Sequence, residues 1–198
     1  MKIKLQNLVD SCINNAHLNQ SFRDVKGMIS PHAGYTYSGG VAGYGFQALK
    51  GTSYKTVVLI GPSHRHYFDG VSVYDGDGYR TPLGDVSLNS ELSNKIRDSH
   101  SSFNYIPAAH ENEHGIEVQL PFLQRLYSDN FSIVSIVMGT HTYDIASRLS
   151  EAIETSIVGL DDVLILASSD FSHFYTYDVA NTMDKRALEL IEDWNIST

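Results

Sequence analysis

Cysteine is almost absent from this sequence. Cys12 is the single one, so no disulfide can form within the chain, which is typical of a reducing compartment. Positive charge is scarce too, since 14 Lys and Arg residues stand against 23 Asp and Glu and give a formal net charge of -9. We therefore expect no nucleic-acid partner, because binding a nucleic-acid backbone requires a basic face.

Long apolar runs are also missing. No apolar stretch approaches the roughly 20 residues that a helix needs to cross a bilayer, and residues 1–17 contain no uninterrupted apolar core of the kind found in secretory signals. We expect no membrane partner and a cytoplasmic location. With 42% hydrophobic and 19% charged residues, the chain has the composition of a globular protein.

Apolar residues recur with helical spacing in some regions and as short continuous runs in others. The patterns predict helices over residues 5–13, 39–49, 90–97, 114–127, 144–158 and 179–194, and strands over residues 25–30, 56–60, 71–74, 86–88, 131–138 and 163–167. Strands that alternate with helices and are apolar throughout favour a largely parallel sheet, covered by helices on both faces. The turn-rich stretch GDGYRTPLG predicts an antiparallel excursion, which makes the sheet mixed. We therefore predict one α/β domain over residues 1–198.

Three of the predicted strands end in turns that contain histidine. The first runs into His32, the second into His64, and the last into Asp170 and His173. Parallel strands share one direction, so these ends lie on the edge of the sheet where open α/β folds bind ligands. Neutral imidazole is a good ligand for Fe, Zn, Cu or Ni. The pattern predicts a metal site, in which Asp170 either binds the metal or orients an imidazole.

A further polar stretch, HENEHGIEVQLPF, contains His110, Glu113, His114 and Glu117. Its spacing leaves two interpretations open. These side chains could join the histidine site, or they could be the solvated start of a helix, where acidic residues are favourable. The same two alternatives, a ligand or a surface residue, apply to His66 in the loop after His64.

Five motifs carry a resemblance to a known family: PHAGYTYSGGVAGYGF, IGPSHRH, YRTPLGDV, HENEHGIEVQLPFL and ASSDFSHF. In this order, between Ile29 and Phe174, they resemble the Memo family, whose microbial members are called AmmeMemoRadiSam system protein B. The resemblance implies a fold similar to that of the class III extradiol dioxygenases, which use non-haem Fe(II).

The resemblance also implies roles for individual residues. His32 and His64 correspond to metal histidines of the family, and Asp170 and His173 correspond to the Asp and His of its SSDF-x-H motif. Asp170 and His173 are expected as metal ligands or as catalytic residues, with His173 as the general acid/base and Asp170 orienting it. Memo proteins also have a late cysteine ligand in a Cys-Gly motif, and nothing after His173 resembles it. The N-terminal arm usual in the family is also absent. The resemblance therefore implies a chain that is short at both ends and lacks the C-terminal part of the family fold, and the third ligand stays open.

Three functions are compatible with these observations. The first is a protein that binds Fe(II) or, second in preference, Cu, and that acts in redox handling or as an accessory to a radical-SAM protein, as the family name implies. The second is a non-haem Fe(II) extradiol-type dioxygenase, although a shared fold does not fix the reaction. The third is a metal-free module whose pocket takes a small molecule, a peptide or an anion.

Overall fold

The structure, a computed structural model, describes residues 2–195. In chain order its elements are α1 (Lys2–Asn15), β1 (Gly27–Ser30), α2 (Tyr35–Ala48), β2 (Thr56–Pro62), β3 (Val71–Val73), β4 (Gly78–Thr81), β5 (Gly84–Leu88), α3 (Ser90–Arg97), β6 (Phe103–Asn104), α4 (Pro107–His110), α5 (His114–Glu117), α6 (Leu120–Tyr127), β7 (Ser132–Met138), α7 (Tyr143–Ser156), β8 (Val163–Ser168) and α8 (Tyr177–Glu192). Every predicted helix and strand has a counterpart in the structure, although the predicted helix over residues 114–127 is divided into two. The unpredicted elements β4, β6 and α4 have four residues or fewer.

The strands form one mixed sheet, which confirms the predicted fold class. Its order is β1-β8-β2-β7-β3-β6, and the β4–β5 hairpin joins it through β5 and β7. The strands β1, β8, β2 and β7 are mutually parallel, whereas β3 runs antiparallel to β7. Within residues 2–195, no helix is both long enough and apolar enough to span a membrane.

Helices cover both faces of the sheet, and the alternation of side chains along β2 shows how. Val57 and Leu59 pack in one core cluster with Phe46 of α2, whereas Val58 packs in a second cluster with Leu149 of α7. Successive side chains of a strand point to opposite faces. A strand that is covered on both sides must therefore be apolar throughout, which is the pattern of β2 in the sequence.

The predicted helix over residues 114–127 consists of two shorter helices, α5 and α6. Pro121 lies in the first turn of α6, where its missing N–H group costs nothing, and it prevents a continuous helix. The separate turn α5 contacts β2. Gly61 of β2 allows this approach, because a Cβ there would lie 3.1 Å from the Ile116 side chain. The break at Pro121 therefore positions His114 beside the end of β2.

Candidate metal centre

Three imidazole rings meet at the carboxyl edge of the sheet. His32 follows β1, His64 follows β2, and His114 begins α5. Their ring centres lie 5.0 Å apart for His32 and His64, 4.6 Å for His64 and His114, and 5.7 Å for His32 and His114. We refer to these residues as the three-histidine cluster. The structure thus brings His32 and His64 together, as the strand-end argument predicts, and adds His114 to them.

Glu113 lies beneath the cluster and holds His64 from two sides. Its Oε2 accepts a hydrogen bond from the His64 backbone N–H at 2.7 Å, and its Oε1 lies 2.8 Å from His64 Nδ1. The same Oε1 accepts from the Gly115 N–H at 2.8 Å and lies 3.5 Å from His114 Nδ1. An ionised carboxylate only accepts hydrogen bonds, so Nδ1 of His64 is the donor, and in the neutral form of the ring Nε2 has the lone pair.

His32 is the most buried member of the cluster, with 2% of its surface exposed. Its Nδ1 lies 2.9 Å from the Ser168 hydroxyl, at the end of β8. Its backbone N–H donates to Asp170 Oδ1 at 2.5 Å. Gly115 lies against the buried ring of His32 and the more exposed ring of His64, because a Cβ there would come 3.7 Å from His32 Nδ1 and 3.8 Å from His64 Cε1. The backbone of α5 therefore packs directly against both histidines.

Asp170 and His173 form a pair at the rim of the cluster. Asp170 Oδ1 accepts from the backbone N–H groups of His32 and Ala33, and its Oδ2 lies 3.2 Å from His173 Nε2 and 3.8 Å from His32 Nε2. The Asp170 side chain is 9% exposed and that of His173 is 53% exposed. His173 therefore faces solvent, whereas Asp170 links it to the buried edge of the cluster.

The electrostatics of the centre favour a cation. Burial by itself raises the pKa of Glu113, but the hydrogen bonds from Gly115 and His64 outweigh it and hold that pKa below its usual value. Burial also raises the pKa of Asp170, but the hydrogen bonds from the backbone of His32 and Ala33 outweigh it, so the pKa of Asp170 is lowered as well. Burial lowers the pKa of His32 although Asp170 acts in the opposite direction. Two ionised carboxylates therefore lie beside a neutral imidazole.

The geometry of the centre is compatible with a metal ion. His64, Glu113 and His114 each offer one ligand atom, and these three atoms lie within 4.8 Å of one another. Imidazole and carboxylate ligands suit Zn, Cu and non-haem Fe. Sequence spacing left the role of Glu113 and His114 open, and the structure places both at the centre. Pro121 is the signal in the sequence, since it separates the turn that presents His114.

Other candidates from the sequence lie elsewhere. His110 is half-buried between Ser72 and Tyr79, with its Nε2 2.9 Å from the Ser72 hydroxyl and its Nδ1 3.4 Å from the Tyr79 hydroxyl. Burial lowers the pKa of His110 to about 4. Glu117 is exposed, and the ring of His66 stacks beside Phe68 at 6.0 Å.

The chain matches the family model of the Memo-like protein over residues 2–197. A MEMO1 family protein of Methanopyrus kandleri is 38% identical over 168 residues, which cover 83% of this chain and 59% of that protein. One from Nitrosopumilus maritimus is 30% identical over 199 residues, covering 98% and 72%. One from Sulfolobus acidocaldarius is 38% identical over 167 residues, covering 83% and 58%. The chain thus spans 58% to 72% of the length of these relatives, and it belongs to the Memo-like protein family.

Proposed function

We propose that this Memo-family chain binds one redox-active metal ion, Fe(II) in the first place and Cu in the second, at the three-histidine cluster. The observation that carries this proposal is the convergence of His32, His64 and His114, with ring centres 4.6 to 5.7 Å apart. Its biological role would be redox handling or service as an accessory to a radical-SAM protein, in the cytoplasm.

The donor set supports imidazole ligation. Neutral imidazoles with a free lone pair bind Fe, Cu and Zn, and the carboxylates of Glu113 and Asp170 compensate the charge of a divalent ion. Glu113 already accepts three hydrogen bonds, so we assign it the orientation of His64 and leave ligation to the rings. His114 offers a third imidazole within this chain. When bound, the metal would supply one-electron redox chemistry.

A second candidate function, the extradiol-type dioxygenase, is favoured by the pair of Asp170 and His173. His173 is exposed enough to meet a substrate, and Asp170 Oδ2 lies 3.2 Å from its Nε2. His173 would exchange a proton with the substrate as general acid/base, and Asp170 would keep its ring oriented. In an accessory protein the pair of Asp170 and His173 would have no catalytic role and would only form the rim of the cluster. Turnover of a substrate therefore distinguishes the two functions.

The experiment is the metal content of the chain after anaerobic purification and incubation with Fe(II) or Cu. We expect near-stoichiometric metal in the wild type and its loss in His32→Ala. The matched control is His66→Ala, which removes an exposed imidazole two residues beyond His64 and should retain the metal. A wild type that retains neither ion would contradict the proposal and favour a metal-free module for a small molecule, peptide or anion.

Two further measurements separate the roles of a loaded protein. Oxygen uptake with catechols, lost in His173→Ala without loss of metal, would establish the dioxygenase. Without turnover, anaerobic co-purification with a radical-SAM protein of the same organism tests the accessory role. An association that requires the metal supports it, and no association of the metal-loaded chain contradicts it.

A further inference from the structure

A buried network of hydrogen bonds surrounds His32 on the side facing away from solvent. The Ser168 hydroxyl is its centre. It lies 2.9 Å from His32 Nδ1, 2.9 Å from Gln119 Nε2 and 2.5 Å from the carbonyl oxygen of Gly115. Gln119 is fully buried and Ser168 is 3% exposed. Because water is excluded, the direction of each hydrogen bond follows from the groups themselves.

The orientation of the Gln119 amide is determined by its neighbours. Its Nε2 lies 3.0 Å from the Pro31 carbonyl oxygen, which only accepts hydrogen bonds, so the NH₂ group must point there. The other hydrogen of that group goes to the Ser168 hydroxyl. Gln119 Oε1 has no hydrogen-bond partner among the described residues. The fold therefore tolerates an unpaired buried oxygen while keeping the amide hydrogens directed at Pro31 and Ser168.

The single hydrogen of the Ser168 hydroxyl has two possible acceptors, Gly115 O and His32 Nδ1. The Gly115 carbonyl lies nearer, at 2.5 Å against 2.9 Å, and it can only accept. The hydroxyl hydrogen therefore goes to Gly115, and an oxygen lone pair of Ser168 faces His32. His32 Nδ1 must then be the donor. A neutral imidazole has one N–H group, so Nε2 of His32 has the free lone pair.

We propose that Gln119 and Ser168 are positioning residues, which hold His32 in the tautomer with a protonated Nδ1 and so present Nε2 to the metal. This inference rests on the proposed metal-binding function. Asp170 complements it by binding the His32 backbone N–H, which fixes the base of the side chain.

His32 and His64 are thus oriented by different chemistry. Glu113 orients His64 with a charge, and its own charge is stabilised by backbone N–H groups. Ser168 orients the more buried His32 with a neutral hydroxyl, which avoids a further carboxylate on the Nδ1 side of that ring. Groups that orient a metal-binding histidine in this way typically contribute about 10- to 100-fold to metal affinity.

The first test uses the metal-free chain and nitrogen-15 NMR of the His32 ring. We expect the wild type to show a protonated Nδ1 and an unprotonated Nε2. In Ser168→Ala we expect a substantial population of the other tautomer, because Nδ1–H loses its acceptor. The matched control is Ser30→Ala. Ser30 pairs with Ser168 in the β1–β8 register, is 1% exposed, and its hydroxyl contacts only the Pro31 carbonyl, at 3.5 Å, among the described residues.

The second test is anaerobic titration with Fe(II). We expect the affinity to fall by about 10- to 100-fold in Ser168→Ala and to stay unchanged in Ser30→Ala. Gln119→Leu is the second variant, in case Ser168→Ala does not fold, and should weaken binding in the same direction. Ser168→Thr keeps the hydroxyl and should restore most of the affinity.

Three outcomes would overturn the inference: a protonated Nε2 in the wild type, an unchanged tautomer in Ser168→Ala, or equal affinity losses in the Ser168→Ala and Ser30→Ala variants. The NMR result does not depend on metal binding. A chain that binds no metal but shows the expected tautomers would contradict the proposed function and not the orientation of His32 by Ser168.

Discussion

His64 and His110 lie in two neighbouring but different environments. His64 belongs to the three-histidine cluster, where Glu113 binds its Nδ1, and its Nε2 has no hydrogen-bond partner among residues 2–195. His110 lies half-buried between Ser72 and Tyr79, and both of its nitrogens have partners. The first ring retains a nitrogen for a ligand, whereas the second uses both nitrogens inside the protein.

The difference teaches that hydrogen-bond partners, and not spacing, decide which histidines can bind a metal. His110 and His114 are four residues apart, and a continuous helix would place them on one face. The chain instead turns between them: α4 ends at His110, Asn112 adopts a left-handed conformation with φ 59°, and α5 starts at His114. This turn separates a structural histidine from a candidate ligand.

The largest effect that separates the two environments is expected from alanine substitutions of the histidines. His64→Ala should reduce the affinity for Fe(II) by about 100-fold or more, since it removes a ligand and not only an orienting group. His110→Ala should leave the affinity unchanged in the fraction that folds. Anaerobic titration of both variants measures this, and equal losses would contradict the division between ligand and structural histidine.

The next effect is the dependence of stability on pH. Because the pKa of His110 is lowered to about 4 in the folded chain, the unfolded chain binds more protons between about pH 6.5 and 4. The free energy of unfolding should therefore fall by roughly 3 kcal/mol as the pH drops through this window. Glutamine does not titrate in this window. The free energy of unfolding of His110→Gln should therefore fall less than that of the wild type, by the contribution of His110.

Chemical denaturation at several pH values provides the measurement for His110. The matched control is the same substitution at an exposed histidine, His66→Gln. If His110→Gln and the wild type lose stability in parallel between pH 6.5 and 4, His110 titrates normally, and its pocket is more hydrated than the structure indicates.

A smaller effect is expected from the carboxylate that orients His64. Glu113→Gln should weaken Fe(II) binding by about 10- to 100-fold, because an amide cannot replace all three of the accepted hydrogen bonds. Glu117→Gln is the matched control, since Glu117 is exposed on the same short helix and should have no effect. Complete loss of binding in Glu113→Gln would instead assign Glu113 as a ligand.

The same substitution has a predicted effect in acid. The pKa of Glu113 is lowered in the folded chain, so its contribution to stability is present above its unfolded pKa and is lost as the pH falls through the folded value. Below about pH 4, the free energy of unfolding of Glu113→Gln should therefore fall less than that of the wild type. Denaturation of the metal-free proteins in this range tests the prediction. An equal loss of stability in Glu113→Gln and the wild type would contradict it.

The smallest effect is expected for Tyr79→Phe. This change removes a hydroxyl that lies 2.8 Å from the Ser135 hydroxyl and 3.4 Å from His110 Nδ1, and it should cost about 1 kcal/mol of stability. Metal affinity should not change, because His110 belongs to the structural environment. A loss of Fe(II) binding in Tyr79→Phe would show that the two environments are coupled.

Much of the fold could be predicted from local sequence patterns. The apolar runs of β2, β7 and β8 and the helical stripe of α7 are long and regular, so their periodicity identified them. The short elements β4, β6 and α4 have too few residues for a period to be recognised. Of these, β6 depends on pairing with a distant strand, since Phe103 lies opposite Val71 of β3.

The candidate site could be predicted only in part. His32 and His64 follow strands, and the parallel direction of those strands is enough to place them at one edge. Glu113 and His114 follow no strand, and their approach depends on how the turn of α5 packs on β2, against Gly61 and Ile116. No spacing rule contains that packing, because it arises between segments about 50 residues apart.

The sequence by itself determined the α/β class, the parallel strands and the edge at which His32 and His64 lie, because these depend on hydrophobic periodicity and strand direction. It predicted one helix over residues 114–127, which the folded chain divides into α5 and α6, with Pro121 in the first turn of α6. Only the tertiary structure decided that His114 joins the cluster while His110 does not. The protonation pattern of His32 was decided there too, because Ser168 of β8 meets its ring and Gln119 of another segment binds the Ser168 hydroxyl. A free nitrogen is the result of all the hydrogen bonds around a ring, and these become definite only when the whole chain is folded.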